Sequence, residues 1–203
     1  MSVIIVPIVE GYGEESAIRI VIDRITAELN LGVRVRIVHP IRQKRDRLLK
    51  PGEFERAIQA AAIQALATTA DHRRVLVLID SDGVCPATLC RDLLGRARQA
   101  RSDIDTSVVL AHHEFEAWFL ASASSLRECC GLSEAIEDHP SPETVQGAKE
   151  WLRQHMPANR KYSERVDQPT LTHLFDLNRA REGSRSFRKF WKEIEHILRD
   201  SAG

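Results

Sequence analysis

The chain has 203 residues, of which 43% are hydrophobic and 29% charged, with 29 Lys+Arg against 29 Asp+Glu for a formal net charge of zero. That length can bury a sizeable core in one domain, or in one domain with an extension. A neutral balance excludes binding nucleic acid through overall charge, so any such role must come from local basic patches.

The first residues, Met-Ser-Val-Ile-Ile-Val-Pro-Ile-Val-Glu, lack a basic leader region and a small-residue cleavage site. They read as a buried strand and not as a signal peptide. The continuous apolar run from Val3 to Val9 suits a strand covered on both faces of a parallel sheet. Glu10-Gly11-Tyr12-Gly13-Glu14 breaks it, and Ala17, Ile18, Val21, Ile22, Ile25 and Leu29 then recur at helical spacing. Val33, Val35 and Ile37 alternate with arginines as a second strand, followed by a basic loop closed by Pro51-Gly52. The alanine-rich stretch Phe54 to Leu66 predicts a second helix. Val75 to Ile79 is the strongest buried-strand signal and stops at Asp80-Ser81-Asp82-Gly83. Thr88 to Arg101 predicts a helix, and Ser107 to Leu110 a fourth strand. The alternation implies an α/β fold with a mostly parallel four-stranded sheet flanked by helices. After Glu114 only helical patterns remain, punctuated by Pro140, Pro142, Pro157 and Pro169. The expected division is an α/β domain over residues 1–122 and a C-terminal helical extension packed on it over residues 123–203.

No apolar run exceeds strand size, so no membrane partner is expected. Cys85, Cys90, Cys129 and Cys130 form no CxxC pair, which argues against a disulfide framework or zinc site and for a reducing, cytoplasmic location.

Ligands of open α/β sheets bind beyond the carboxyl ends of the strands. Three acidic clusters fall there: Glu10 with Glu14, Asp80 with Asp82, and Glu114 with Glu116. Carboxylates a few ångströms apart repel by up to ~4 kcal/mol per pair at an effective dielectric near 20, so the fold must supply protons, basic groups or metal ions. Hard oxygen donors of this kind suit Mg²⁺, or Mn²⁺, which can activate water and stabilise the leaving oxygen of a phosphodiester. Taken singly, each cluster has a structural reading: Glu14 favours a helix N-terminus, and Asp82-Gly83 is a common turn.

Ile5-Val6-Pro7-Ile8-Val9-Glu10-Gly11 with Glu14, and Val75 to Asp82 ending in Asp-x-Asp, resemble the two Toprim motifs shared by topoisomerases, bacterial primases, recombination-repair proteins and overcoming-lysogenization-defect (OLD) nucleases. Glu114-Phe115-Glu116-Ala117-Trp118-Phe119-Leu120-Ala121-Ser122 and Ser184-Arg185-Ser186-Phe187-Arg188-Lys189 resemble an uncharacterised bacterial family of small stand-alone Toprim-like proteins, often encoded beside AAA-type ATPases. The resemblance implies a Toprim-like, Rossmannoid fold and a metal-dependent nuclease working with a separate ATPase in phage defence or DNA repair. It makes Glu10 the acid/base or metal-ligating glutamate and Asp80 and Asp82 the metal-binding pair. By the same resemblance Glu14 matches the extra acid of the OLD nucleases, and either Glu114 or Glu116 their later acidic motif. No tyrosine sits in a topoisomerase-type nucleophile context, and there is no room for an ATPase domain in cis.

Arg42, Lys44 and Arg45 crowd the loop after the second strand, and Arg185, Arg188 and Lys189 form a second basic stretch. Both are expected to contact nucleic-acid phosphates, DNA ahead of RNA, or else to be solvated surface. Lys189 is a candidate for stabilising charge at the scissile phosphate, and Ser184 for capping the last helix. Two readings compete with the nuclease. One is a non-catalytic module that binds nucleic acid or a partner through the acidic edge. The other is a nucleotide-sugar glycosyltransferase with an Asp-x-Asp metal site, which leaves Glu10-Gly11 unexplained. An oligomeric form is among the states the sequence allows.

Overall fold

The computed structural model describes residues 1–127 and 129–202. Its centre is a fully parallel sheet. The strands are β1 (Ser2–Val9), β2 (Arg34–Ile37), β3 (Ile41–Arg42), β4 (His72–Asp80) and β5 (Asp105–Ala111). Their order is β2-β1-β4-β5, and β3 continues the β2 edge by pairing Ile8 with Ile41 and Val9 with Arg42. The expected four strand positions are thus present, with the edge one broken in two at His39-Pro40, where proline has no N–H to give to a ladder.

Alternation along the strands sorts the core into two layers. Val3, Ile5, Val9, Leu76, Leu78, Val109 and Ala111 face α1 (Tyr12–Leu29) and the C-terminal helices. Ile4, Val6, Ile8, Val75, Val77, Ile79, Val108 and Leu110 face α3 (Glu53–Leu66) and α4 (Pro86–Ala100). Small side chains at Ala57, Ala61, Ala62 and Ala65 let α3 lie close against β1 and β4. A single turn, α2 (Arg45–Leu48), joins β3 to α3.

Beyond β5 the chain forms the single turn α5 (Ala117–Leu120), then α6 (Ala148–Gln154), α7 (Glu164–Leu174), α8 (Leu177–Gly183) and α9 (Arg185–Asp200). Leu152, Leu171, Phe175, Phe187, Phe190, Trp191 and Ile194 from this half share one buried cluster with the sheet face and α1. Its centre is Trp118, fully buried, whose indole Nε1 donates to Ser186 Oγ at 2.9 Å. Ser184 caps α9, its hydroxyl accepting from the Phe187 N–H. Pro169, read from sequence as a break, lies inside α7. It costs the helix one hydrogen bond in its middle turn, while the buried Gln168, Leu171 and Thr172 keep the helix seated. Among the described residues no helix is long and apolar enough to cross a membrane.

Candidate metal centre

The strand order reverses direction between β1 and β4: the chain leaves β1 toward β2 and returns across it to β4. The crevice outside the carboxyl ends of two such strands is where doubly wound sheets bind ligands. Glu10 follows β1 and Asp80 ends β4, so both carboxylates enter this crevice.

Glu14 joins them from the first turn of α1. Its Oε2 accepts the N–H of Glu10 at 3.0 Å and of Gly11 at 3.4 Å, which folds the side chain back over the strand end. Ligand oxygens of Glu10, Glu14 and Asp80 all lie within 4.8 Å of one another. Asp80 Oδ1 is fixed by the Phe115 N–H at 2.8 Å. Ser81 Oγ accepts the His113 N–H at 2.9 Å, tying the turn after β4 to the turn after β5. Glu10 Oε2 is buried and has no hydrogen-bond partner.

Burial and mutual repulsion raise the pKa values of these acids. Burial, with the Asp82 charge adding to it, raises Glu10 to about 7. Burial and the neighbouring Glu10 raise Glu14 to about 8. Asp80 is pushed well above its ordinary value by burial and then by Glu14, Glu10 and Glu116. Glu116 is raised to about 7 by burial, against the pull of Lys149 and the Tyr162 hydroxyl, which donates to its Oε1 at 2.9 Å.

Lys149, at the start of α6, is the ammonium inside this acidic edge. Its Nζ stands 3.6 Å from Glu164 Oε1, 3.8 Å from Asp80 Oδ2, and 3.9 Å from Glu114 Oε1 and from Glu116 Oε2. Burial opposes its charge, but Glu116, Asp80, Glu164 and Glu114 together hold its pKa above that of an ordinary lysine.

Of the residues expected from sequence, Glu10, Glu14 and Asp80 come together, and Glu114 and Glu116 gather next to them around Lys149. Asp82 lies outside the trio. It takes a left-handed backbone (φ 47°), is exposed, and pairs with Arg45 at 3.5 Å, because the turn to Gly83 (φ 85°) carries it away from the strand axis. Arg45 is absorbed in holding that turn, donating to the carbonyls of Asp80 (3.0 Å) and Ser81 (3.1 Å). Arg42, beside Val9 in the register, stacks over the exposed Tyr12 ring at 3.8 Å and pairs with Glu15 at 3.6 Å, while Lys44 is exposed. Lys189 pairs with Glu193 at 2.8 Å and lines a cavity of about 500 Å³ against β5 with Arg185 and His112. Arg188 donates to the Arg181 and Glu182 carbonyls at the end of α8. Among the described residues, none of Arg185, Arg188 and Lys189 pairs with a carboxylate of the cluster.

Lys149, Tyr162 and Glu164 are the members that sequence reasoning missed. Each sits in a segment without strand or motif signal. The nearest sequence signal is Ser163-Glu164, residue types favoured where a helix begins, and α7 does begin there.

A family model described as a domain of unknown function, DUF4276, matches residues 9–195. No curated protein and no solved structure matches the chain.

Proposed function

Because the chain belongs to the DUF4276 family, a description that carries no activity, we propose from the site itself that this protein is a divalent-metal-dependent, Toprim-type nuclease. The observation that carries this reading is the trio Glu10, Glu14 and Asp80, with ligand oxygens within 4.8 Å of one another and Glu10 Oε2 buried without a partner. An orphaned buried carboxylate oxygen is costly, and a cation satisfies it. All three donors are hard oxygens from carboxylates, the set that Mg²⁺ or Mn²⁺ takes. When bound, such an ion polarises a phosphoryl oxygen and lowers the pKa of water near it.

The chain's own residues then have separable tasks. Glu10, Glu14 and Asp80 hold the ion at the crevice. Arg45 fixes the Asp80–Ser81 backbone so that the aspartate keeps its place. Arg42 and Lys44, at the same strand end, and Arg185 and Lys189, beyond β5, offer phosphate contacts on either side. A nucleic-acid backbone is the substrate class that uses both basic flanks and the acidic centre, with DNA ranked ahead of RNA. The resemblance of the first and third long strands to Toprim motifs supports the same assignment, and by that resemblance a separate AAA-type ATPase is its proposed partner.

The test combines calorimetry and cleavage. Mg²⁺ or Mn²⁺ is expected to bind the wild-type protein and to lose affinity at least 10-fold in Glu10→Gln and Asp80→Asn. Metal-dependent cleavage of DNA or RNA oligonucleotides is expected to disappear in the same variants. Absence of metal binding in the wild type would sink the proposal. Metal binding without cleavage, with or without an ATPase partner, would favour a binding module.

A further inference from the structure

Lys149 occupies a cage that continues the metal trio. Its Nζ is surrounded at 3.6 to 3.9 Å by oxygens of Asp80, Glu114, Glu116 and Glu164, which arrive from β4, the turn after β5, the entry to α5 and the start of α7. An ammonium engaged in charge-assisted hydrogen bonds sits at about 2.7–2.9 Å from its acceptors. None of these contacts is that short, so the ammonium lies among the carboxylates without being claimed by one of them.

Three details distinguish this cage from a neutralising salt bridge. Glu116 is fully buried, and its Oε2, on the lysine side, has no hydrogen-bond partner. Its other oxygen accepts from the Tyr162 hydroxyl at 2.9 Å, which leaves the free oxygen on the lysine side. The backbone entering the cage is fixed as well: after Gly147 in left-handed conformation (φ 84°), the Lys149 N–H donates to Glu114 Oε2 at 3.1 Å. Asp80 belongs to both groups, supplying an oxygen to the Glu10–Glu14–Asp80 trio and facing Lys149 with Oδ2. The acidic trio and the lysine cage thus adjoin through one shared aspartate, and two adjacent cation sites are what a two-ion phosphoryl-transfer centre requires.

We propose that Lys149 stands in the second cation position of this centre, so that the protein takes one divalent ion and the lysine ammonium supplies the second positive charge. The inference rests on the metal reading above. Its consequence for chemistry is that the Lys149 N–H groups face a phosphoryl oxygen as donors while the four carboxylates balance their charge. Unlike a second ion, this charge stays in place when metal is scarce.

The experiment counts ions, with Mn²⁺ as the probe, by calorimetry and by electron paramagnetic resonance. The wild-type protein is expected to bind one Mn²⁺ with the spectrum of an isolated ion. Lys149→Met, which keeps the side chain's length but not its charge, is expected to bind two and to show exchange coupling between them. Two ions in the wild type would overturn the proposal without any variant. One ion in a Lys149→Met protein with an unchanged circular dichroism spectrum would also overturn it, because the lysine would then not be what keeps a second ion out. Glu164→Gln removes the carboxylate nearest the lysine Nζ, at 3.6 Å, which is not one of the Glu10–Glu14–Asp80 trio, and it is expected to leave the wild-type count at one whether or not Lys149→Met folds. Loss of Mn²⁺ in Glu164→Gln would place that residue on the ion and overturn the assignment. No Mn²⁺ in the wild type would be the failure of the metal reading itself, a distinct result.

Discussion

Gly13 and Glu164 are in backbone contact: a Cβ built on Gly13 would lie 2.8 Å from the Glu164 carbonyl carbon and overlap the carbonyl oxygen and Gln168 Oε1. The missing side chain lets the first turn of α1, which carries Glu14, lie against the start of α7, which carries Glu164. One close approach thus brings the acidic trio and the lysine cage to the same edge.

Gly13→Ala is expected to destabilise the protein, although alanine is the better helix former. Forcing a methyl against backbone costs about 1–3 kcal/mol or more, which at this chain length lowers the melting temperature by roughly 2–4 °C per kcal/mol. Gly95 is the control. It lies inside α4 with nothing within 4 Å of a built Cβ, so Gly95→Ala should raise the melting temperature through a gain of roughly 0.5–1 kcal/mol. Equal effects of the two substitutions in thermal melts would refute the close-packing account.

Metal-free protein should lose stability as pH rises from about 4.5 toward 8. Glu10, Glu14 and Glu116 carry folded pKa values of about 7, 8 and 7 against an ordinary 4.5. Between those limits the folded state binds more protons than the unfolded chain, so the stability these groups contribute is fully present below about 4.5 and is lost as pH passes their folded values. Mg²⁺ must displace the protons of Glu10 and Glu14, so its stabilising shift in melting temperature should be larger at pH 8 than at pH 5.5. Melts at both pH values with and without Mg²⁺ check this, and a larger shift at pH 5.5 would contradict it.

Tyr162→Phe removes the hydroxyl that donates to Glu116 Oε1 in a buried setting. Leaving a buried acceptor unpaired costs about 1–3 kcal/mol, so denaturant melts should show a loss in that range. Mn²⁺ affinity should change less than 3-fold, since Glu116 is not one of the three residues whose ligand oxygens converge. A 10-fold or greater loss of Mn²⁺ affinity with unchanged stability would mean that Tyr162 acts on the ion's ligands instead.

The two basic flanks can be separated by nucleic-acid binding. Arg42→Ala/Lys44→Ala and Arg185→Ala/Lys189→Ala should each weaken binding similarly for every sequence and reduce the salt slope by about one unit or less per lost phosphate contact. Stability should hold in the second pair, because Arg185 is exposed and Lys189 loses only a surface (i, i+4) ion pair worth about 0.3–0.5 kcal/mol. Unchanged affinity and salt slope in either double variant would remove that flank from the proposed path of the nucleic acid.

The sequence by itself determined the sheet and the face on which a site can form. Val3 to Val9 and Val75 to Ile79 are apolar on both sides and become the two central strands, and the acids that end them lie on one edge because the strands are parallel. Glu10, Glu14 and Asp80 were legible for that reason: their convergence follows from strand ends, which sequence periodicity marks. Tertiary structure decided the rest. Lys149, Tyr162 and Glu164 reach the site from the α6 and α7 region, whose place depends on contacts such as Gly13 against Glu164 that leave no periodic trace. Asp82, two residues beyond Asp80 in an Asp-x-Asp pattern, is turned toward Arg45 by a left-handed backbone. Spacing along a chain fixes which face of a strand or helix a residue takes. It does not fix the direction of a turn, or which distant helix supplies the counter-charge, since both follow from how whole elements pack.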